Sequence, residues 1–157
     1  MSDFSLKCED FQDGEEIPKN CGYKHGNREP EISIRGLHDG IKTLAIIMDD
    51  PDAMAAVGKV WVHWLMYEHY FPEVHSPVLG KTDFGEIGYG GPAPPDKRHT
   101  YVFKAYALDI TLDLKEGYSK QELEDAMKGH IIAEAKLTGT YAPWKFNYFF
   151  LLYVILR

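Results

Sequence analysis

Cysteine is scarce in this sequence, and the short motifs of the commonest catalytic sites are absent. Cys8 and Cys21 are the only cysteines among the 157 residues, and they lack the CxxC spacing of a zinc site. We expect both to be free thiols in a reducing cytoplasm, with a Cys8–Cys21 disulfide as the alternative. HExxH, GxSxG and GxxxxGK(S/T) do not occur, so the sequence offers no nucleophile elbow and no triphosphate-binding loop.

The chain also has little positive charge and no long apolar run. It contains 17 Lys and Arg against 24 Asp and Glu, a formal net charge of -7, which argues against nucleic acid as its main partner. No apolar run reaches the ~20 residues that a membrane-spanning helix needs. The N-terminal residues are acidic and contain no apolar signal segment. We therefore expect a cytoplasmic protein without a transmembrane segment.

The sequence does contain a series of strand patterns. Hydrophobic residues make up 45% of the chain, enough for one domain with a full core across residues 1–157. Alternating or continuous apolar residues predict strands at 4–8, 31–36, 43–49, 60–67 and 99–108. Because these strands do not alternate with helices, the sequence predicts a mainly β domain of the β-rich α+β class.

One helix is predicted toward the C-terminal end. Ser119 and Glu122 form a capping box, and apolar residues recur at helical spacing from Leu123 to Ala135. Gly139 is predicted to end the helix. The segment 146–156 is almost wholly apolar. A final core strand is the favoured interpretation of this tail, and the alternatives are an oligomer interface, a hydrophobic anchor or an aggregation-prone segment.

Candidate site residues gather around a loop rich in glycine and proline, GYGGPAPP at residues 88–95. Glycines let the backbone approach a ligand closely, and prolines stiffen the loop. The strand that follows places His99 and Tyr101 on one face. Along strand 60–67, strict alternation predicts that four side chains share one face: Trp61, His63, Leu65 and Tyr67.

Carboxylates directly follow the buried strand 43–49, and together with the histidines they suggest three chemistries. Asp50 and Asp52 are costly beside an apolar strand unless they are paired or hydrogen-bonded. A carboxylate that orients a histidine would favour anion binding, with Tyr101 and loop N–H groups as further donors. Two histidines and a carboxylate would also fit a metal centre, and an Asp–His pair would fit acid–base hydrolysis. The residues by themselves leave all three open.

Four motifs, taken in order, resemble those of the phosphatidylethanolamine-binding protein family in its bacterial and archaeal branch. They are DDPDA at 49–53, WVHW at 61–64, GYGGPAPP at 88–95 and HTYVFKAYALD at 99–109. The resemblance covers roughly residues 4–141 and implies a large central antiparallel β-sheet, a smaller sheet and peripheral helices. It also implies a small anion pocket formed by Asp50, Asp52, Trp61, His63, Pro94, Pro95, His99 and Tyr101.

The resemblance implies binding rather than catalysis, with no cofactor and no metal. The expected partners are a small anion or phosphate-containing head group and a regulated protein such as a protease or kinase. A metal-assisted or Asp–His hydrolase in the same pocket is one alternative, and a homo-oligomer assembled through the apolar tail is another. The chain departs from the family pattern at Met54 (proline), Lys97 (glycine) and Thr100 (arginine). Its ending is also atypical, and no family role carries over to residues 142–157.

Overall fold

Strands form most of the regular structure in the computed structural model, which describes residues 3–144. The strands are β1 (Ser5–Cys8), β2 (Ile32–Arg35), β3 (Thr43–Asp50), β4 (Trp61–His69), β5 (Val78–Leu79), β6 (His99–Leu108) and β7 (Ile131–Tyr141). The helical segments in the same range are α1 (Ala53–Val57), α2 (Lys120–Met127) and a 3-10 turn at Lys19–Cys21. Each of the five predicted strands is present, with its ends displaced by at most two residues.

Antiparallel pairing joins the strands of residues 3–144 into two sheets. β1 and β2 form a small sheet, and the other five strands form a larger one in the order β5-β4-β3-β6-β7. All eight residues of β3 are buried because this strand lies at the centre of the larger sheet. The predicted fold class is therefore confirmed: a mainly β protein with a large central antiparallel sheet, a smaller sheet and peripheral helices.

The larger sheet buries both of its faces. One face packs against the small sheet, and this first core includes Leu6, Ile46, Met48, Tyr101 and Phe103. The opposite face packs against α2, and this second core includes Ala45, Ile47, Leu65, Leu123 and Met127. Successive residues of a strand point to opposite faces, so β3 contributes alternately to the two cores.

The predicted helix is confirmed only in its first part. Ser119 Oγ accepts a hydrogen bond from the backbone N–H of Glu122 at 3.1 Å, as the capping box predicts. The helix then ends at Met127, and Gly129 follows with φ of 82°, a left-handed conformation that interrupts a helix. The prediction that the helix continues beyond Met127 to Ala135 is wrong.

Residues 131–141 form β7 because β6 offers them a partner along its whole length. Ten residue pairs join the two strands, with Tyr141 opposite His99 at one end. Gly139, predicted to end a helix, lies inside this strand, where a Cβ atom would come within 2.6 Å of Ile17. Short apolar patterns fit helix and strand almost equally well, and here the long ladder of backbone hydrogen bonds decides.

Neither α1 nor β5 has a sequence pattern that predicts it. α1 has five residues, and its N-cap residue, Asp52, makes no side-chain capping bond, so the usual start signal is missing. β5 has two residues and lies within the segment 68–87 that is predicted as loop. Elements of two to five residues are stabilised mainly by contacts with the rest of the fold, so the local sequence carries little signal for them.

A β-bulge at His63 interrupts the alternation of β4. Met48 of β3 pairs with Trp64, but the next residue, Asp49, pairs with Val62. His63 is therefore an extra residue on β4, opposite no residue of β3. A bulge of this kind reverses the relation between sequence parity and sheet face.

The prediction that Trp61, His63, Leu65 and Tyr67 share one face is wrong for this reason. Leu65 and Tyr67 pack in the second core. The ring of His63 instead lies 5.1 Å from the ring of Tyr101, on the face of the first core. The bulge thus turns His63 toward the candidate site.

Both cysteines are free thiols, as expected, and the disulfide alternative is wrong. Cys21 is fully buried, and burial raises the pKa of its thiol to about 11. Its backbone carbonyl accepts a hydrogen bond from the Tyr89 hydroxyl at 2.9 Å, so the residue helps to hold the glycine- and proline-rich loop.

The apolar segment 146–156 lies outside the described residues, and its interpretation stays a prediction. Within residues 3–144, no helix has both the length and the apolar character needed to cross a membrane.

Candidate functional site

A cavity of about 140 Å³ lies where β3 ends and where β4 and β6 begin. Because these neighbouring strands are antiparallel, their ends meet at one edge of the sheet, next to α1 and the loop 88–95. The lining residues are Asp50, Ala53, Ala56, Val57, Trp61, His63, Phe84, Ala93, Pro95, His99 and Tyr101.

Six of the eight predicted site residues line this cavity: Asp50, Trp61, His63, Pro95, His99 and Tyr101. Asp52 and Pro94 do not. Asp52 is exposed on the turn before α1, where its carboxylate accepts a hydrogen bond from Thr100 N at 2.8 Å and fixes the start of β6. Pro94 lies on the other side of the loop, in a separate hollow next to Trp144.

His99 lies between two carboxylates at the base of the cavity. Its Nδ1 atom is 2.6 Å from Asp50 Oδ2, and its Nε2 atom is 2.7 Å from Asp96 Oδ1. The His99 side chain is only 1% exposed, whereas that of Asp96 is 41% exposed. Burial alone would lower the pKa of His99, but the hydrogen bonds to Asp50 and Asp96 outweigh it, so the pKa is raised. Carboxylates only accept, so both ring nitrogens donate and His99 is an imidazolium.

His63 is held in the neutral form. Its Nδ1 atom is 2.6 Å from the carbonyl oxygen of Gly90, and burial lowers the pKa of the ring despite this contact. A carbonyl can only accept, so the proton lies on Nδ1 and the lone pair on Nε2. The ring also packs edge-on against Tyr101 and Phe84, with centroid distances of 5.1 and 5.5 Å.

Three side chains of the cavity carry buried polar atoms without a hydrogen-bond partner in residues 3–144: Asp50 Oδ1, Trp61 Nε1 and Tyr101 Oη. Five such atoms occur in that part of the chain, so most of them belong to this one site. Burial raises the pKa of Tyr101, the charge and the nearby carboxylate of Asp50 add to the effect, and the backbone N–H of Ala93 opposes it, although no contact of the hydroxyl has good hydrogen-bond geometry. Buried polar groups nearly always find partners, so these three atoms are open to hydrogen bonds from ordered water or from a bound molecule.

The loop 88–95 is clamped by the chain segment that precedes β2. Asn27 Oδ1 accepts a hydrogen bond from Gly91 N at 2.7 Å, and Asn27 Nδ2 donates to the carbonyl of Tyr89 at 2.9 Å. Gly91 packs so closely on the carbonyl of Cys21 that a Cβ atom would overlap it. This packing fixes the Gly90 carbonyl that orients His63.

The outer walls of the cavity are apolar and come from residues that sequence reasoning missed. Phe84 stacks on Tyr23 at 4.0 Å between centroids and meets Trp61 edge-on at 5.5 Å. α1 contributes Ala53, Ala56 and Val57 to the opposite wall. None of these carries a sequence signal for binding. Asp96 is different, because an acidic residue three positions before His99 in the same loop is visible as a candidate partner.

No group of three or more His, Cys, Asp or Glu in residues 3–144 has an arrangement that could hold a metal ion. His63 and His99 line the same cavity, but each already has a close partner on its Nδ1 atom.

Comparison with known proteins gives a consistent family match. The family model of phosphatidylethanolamine-binding protein matches residues 7–142. A UPF0098 protein of Methanothermobacter thermautotrophicus is 39% identical over 87% of this chain and 97% of the relative. A UPF0098 protein of Chlamydia muridarum is 40% identical over the same shares of the two chains.

Solved structures share this fold. A phosphatidylethanolamine-binding protein homologue from Chlamydia trachomatis superposes with a TM-score of 0.81 at 36% identity, over 90% of this chain and 98% of that chain. YbcL of E. coli, described as a new member of the mammalian family, has a TM-score of 0.79 at 26% identity, over 90% of this chain and 99% of that chain.

Proposed function

The chain belongs to the phosphatidylethanolamine-binding protein family, and we propose that it is a non-enzymatic protein that binds a small anion in the cavity beside His99. The ligand class is a phosphate-bearing head group or a comparable small anion. The observation that carries this proposal is the concentration of partnerless buried polar atoms around one cavity. The Tyr101 hydroxyl and the Trp61 indole N–H are both donors, and an anion would satisfy them.

A buried imidazolium at the base of the cavity supports the same proposal. His99 carries its charge at 1% exposure, where the effective dielectric constant is below that of water and charge interactions are stronger. Asp96 occupies the Nε2 side of the ring, and its own side chain is partly exposed. An entering anion can therefore compete with Asp96 for this N–H group.

The arrangement of the histidines favours binding over hydrolysis. A general base needs an imidazole nitrogen with a free lone pair beside the reacting proton. Both nitrogens of His99 are engaged by carboxylates, and burial lowers the pKa of His63, which makes it a weak base. Turnover of ester or phosphoester substrates that disappears in Asp50→Asn would overturn the non-enzymatic part of the proposal.

We propose that the protein acts on a protease or kinase partner by binding it near this cavity. The exposed side chains of Met54 and Val57 on α1 offer an apolar contact surface beside the opening. The expected partner is one whose activity falls on titration with this protein and recovers in Met54→Ser. Unchanged inhibition by Met54→Ser would place the contact elsewhere.

Isothermal titration with phosphate, phosphorylethanolamine and acetate tests the binding proposal. Tyr101→Phe removes only the partnerless hydroxyl, and we expect about tenfold weaker binding or more, because a hydrogen bond to a charged group contributes ~1.5–3 kcal/mol. Tyr106→Phe is the matched control, since Tyr106 lies on the same strand but packs against the second core. Absence of heat with every anion, or equal affinities for the two variants, would contradict the proposal.

A further inference from the structure

The partnerless atoms at the base of the cavity include an acceptor as well as donors. Asp50 Oδ2 accepts the hydrogen bond from His99 Nδ1, and Asp50 Oδ1 has no partner in residues 3–144. The Asp50 side chain is 4% exposed, so Oδ1 is cut off from bulk water. The Tyr101 hydroxyl, which has no partner in residues 3–144, belongs to the same lining. The Tyr101 hydroxyl and the Asp50 carboxylate are close enough to influence each other, but they do not form a hydrogen bond of good geometry, so one bound group could bridge the donor and the acceptor.

The charges around the cavity sum to a negative value. Asp50 and Asp96 carry one negative charge each, His99 carries one positive charge, and His63 is neutral. Asp52 adds an exposed negative charge on the turn before α1.

The other charged groups nearby are already paired. Asp49 faces the opposite side of the sheet, where its carboxylate lies 2.9 Å from Lys120. Lys59, 5.8 Å from the ring of Trp61, is 2.7 Å from Asp83. Among the described lining residues the positive charge of His99 is shared between Asp50 and Asp96, so the group keeps a net negative charge.

A fully deprotonated anion is a poor match for this site. Its oxygens only accept hydrogen bonds, so they would meet the Asp50 carboxylate with charge repulsion and without a proton between them. An anion that carries a hydroxyl group differs, because one P–O–H group can donate to Asp50 Oδ1 while it accepts from Tyr101. This group satisfies both partnerless atoms at once.

We infer that the cavity selects anions that carry a proton, such as the monoanion of a phosphate monoester, over anions without one, such as a sulfate monoester. The inference rests on the proposed function and narrows its ligand class. Asp50 is the residue that determines this specificity, and His99 holds Asp50 in place. Phosphate monoesters lose their second proton with a pKa of about 6, so the selected monoanion predominates below about pH 6 and falls to about a tenth of the total at pH 7. Sulfate monoesters have no proton to offer in that range.

Titration of the full chain with two methyl esters, methyl phosphate and methyl sulfate, and with methylphosphonate tests this inference, at constant ionic strength from about pH 5.5 to about pH 8.5. At about pH 5.5 we expect methyl sulfate to bind at least about tenfold more weakly than methyl phosphate. Methyl sulfate has no proton to donate, so it leaves Asp50 Oδ1 unpaired. The affinity for methyl phosphate should fall about tenfold for each pH unit above the second pKa of the ligand.

The phosphonate separates titration of the ligand from titration of the protein. Its second pKa is higher than that of the phosphate ester, so its affinity should persist to higher pH. One common midpoint for the two ligands would mean that His99 or another protein group titrates, and would overturn the inference. Equal binding of methyl sulfate, or affinity that is flat or rises with pH, would overturn it too, while the proposed function would stand. No binding of any of the three would overturn both.

A comparison of Asp50→Asn with Asp52→Asn tests whether Asp50 determines the preference for phosphate over sulfate. Both substitutions remove one negative charge, but Asp52 lies outside the cavity. An amide at position 50 can donate a hydrogen bond, so the preference for phosphate over sulfate should shrink to within about threefold. Asp52→Asn should keep the full preference. Equal preferences in the two variants would overturn the assignment to Asp50, and if Asp50→Asn does not fold, the titration of the unmodified chain with the three ligands decides.

Discussion

Asp50 and His99 are 49 positions apart in the chain, yet His99 Nδ1 donates to Asp50 Oδ2 across 2.6 Å at the same edge of the large sheet. The pairing follows from topology, because β3 ends where the antiparallel strand β6 begins. It holds a charged imidazolium in a nearly dry position. The pair therefore links the stability of the protein, the charge of the cavity and the proposed ligand preference.

The stability that His99 contributes should decline as pH rises. The folded pKa of His99 is raised above the unfolded value of about 6.5, so its contribution is complete below that pH and is lost as pH rises through the folded pKa. Urea unfolding of the unmodified chain and of His99→Gln should give a larger difference in free energy at about pH 5.5 than at about pH 8.5. A difference that grows with pH would contradict the raised pKa. His63 has the opposite sign, because its lowered pKa removes stability as pH falls below 6.5.

Tyr101→Phe should weaken ligand binding without weakening the fold. The hydroxyl of Tyr101 has no partner in the described residues, so in the free protein its burial is an uncompensated cost of about 1–3 kcal/mol. We expect the thermal midpoint of the ligand-free variant to equal or exceed that of the unmodified chain. Tyr67→Phe is the contrasting control: its hydroxyl donates to the Leu114 carbonyl at 2.7 Å, and its loss should lower the midpoint. Equal destabilisation in both variants would mean that Tyr101 is already satisfied inside the protein.

Asp96→Asn should strengthen anion binding. The carboxylate of Asp96 accepts a hydrogen bond from His99 Nε2 and repels an incoming anion, and removing its charge should tighten binding roughly fivefold. The pKa of His99 should fall at the same time, which the imidazole resonances in a pH titration would report. Asp52→Asn makes the same charge change outside the cavity and should alter the affinity much less. Equal gains in both variants would indicate a general charge effect and not a contact at His99.

Asn27 is expected to set the shape of the loop that carries Gly90 and Gly91. Asn27→Gly suits the positive φ of 51° at this position but removes both hydrogen bonds of the side chain. Leaving Gly91 N and the Tyr89 carbonyl unpaired should lower the free energy of unfolding by about 1–3 kcal/mol and weaken phosphate binding. Asn20→Gly, in the same segment, is the control. The side-chain oxygen of Asn20 contacts Cys21 Sγ and not the loop 88–95. Unchanged binding in Asn27→Gly would show that the loop holds its shape without the clamp.

Much of the candidate site could be predicted from strand patterns and motifs in the sequence. Strand 99–108 is predicted to its observed ends, and alternation within it places His99 and Tyr101 on one face. The motif resemblance identifies Asp50, Trp61, His63 and Pro95 as further members of the lining. These predictions succeed because a regular strand has a period of two, and because motif residues at strand ends meet when the strands are neighbours.

The wrong predictions share a cause, because each concerns a feature that depends on contacts with residues distant in sequence and not on the local sequence. Residues 131–141 fit a helical period, and only the length of β6 beside them makes β7 the better structure. Alternation along β4 fails at His63 because the bulge belongs to the pairing with β3 and not to β4 itself. Asp52 is drawn away from the cavity by the backbone N–H of Thr100.

The sequence by itself determined five of the seven strands in residues 3–144, the absence of common catalytic motifs and the identity of the polar groups that could meet a ligand. Tertiary structure decided what those groups do. It engages both nitrogens of His99 with carboxylates, leaves one oxygen of Asp50 and the hydroxyl of Tyr101 without partners, and closes the cavity with Phe84 and α1. The physical reason is that protonation and hydrogen-bond satisfaction depend on burial and on neighbours distant in sequence, and the chain acquires these only when its strands pair.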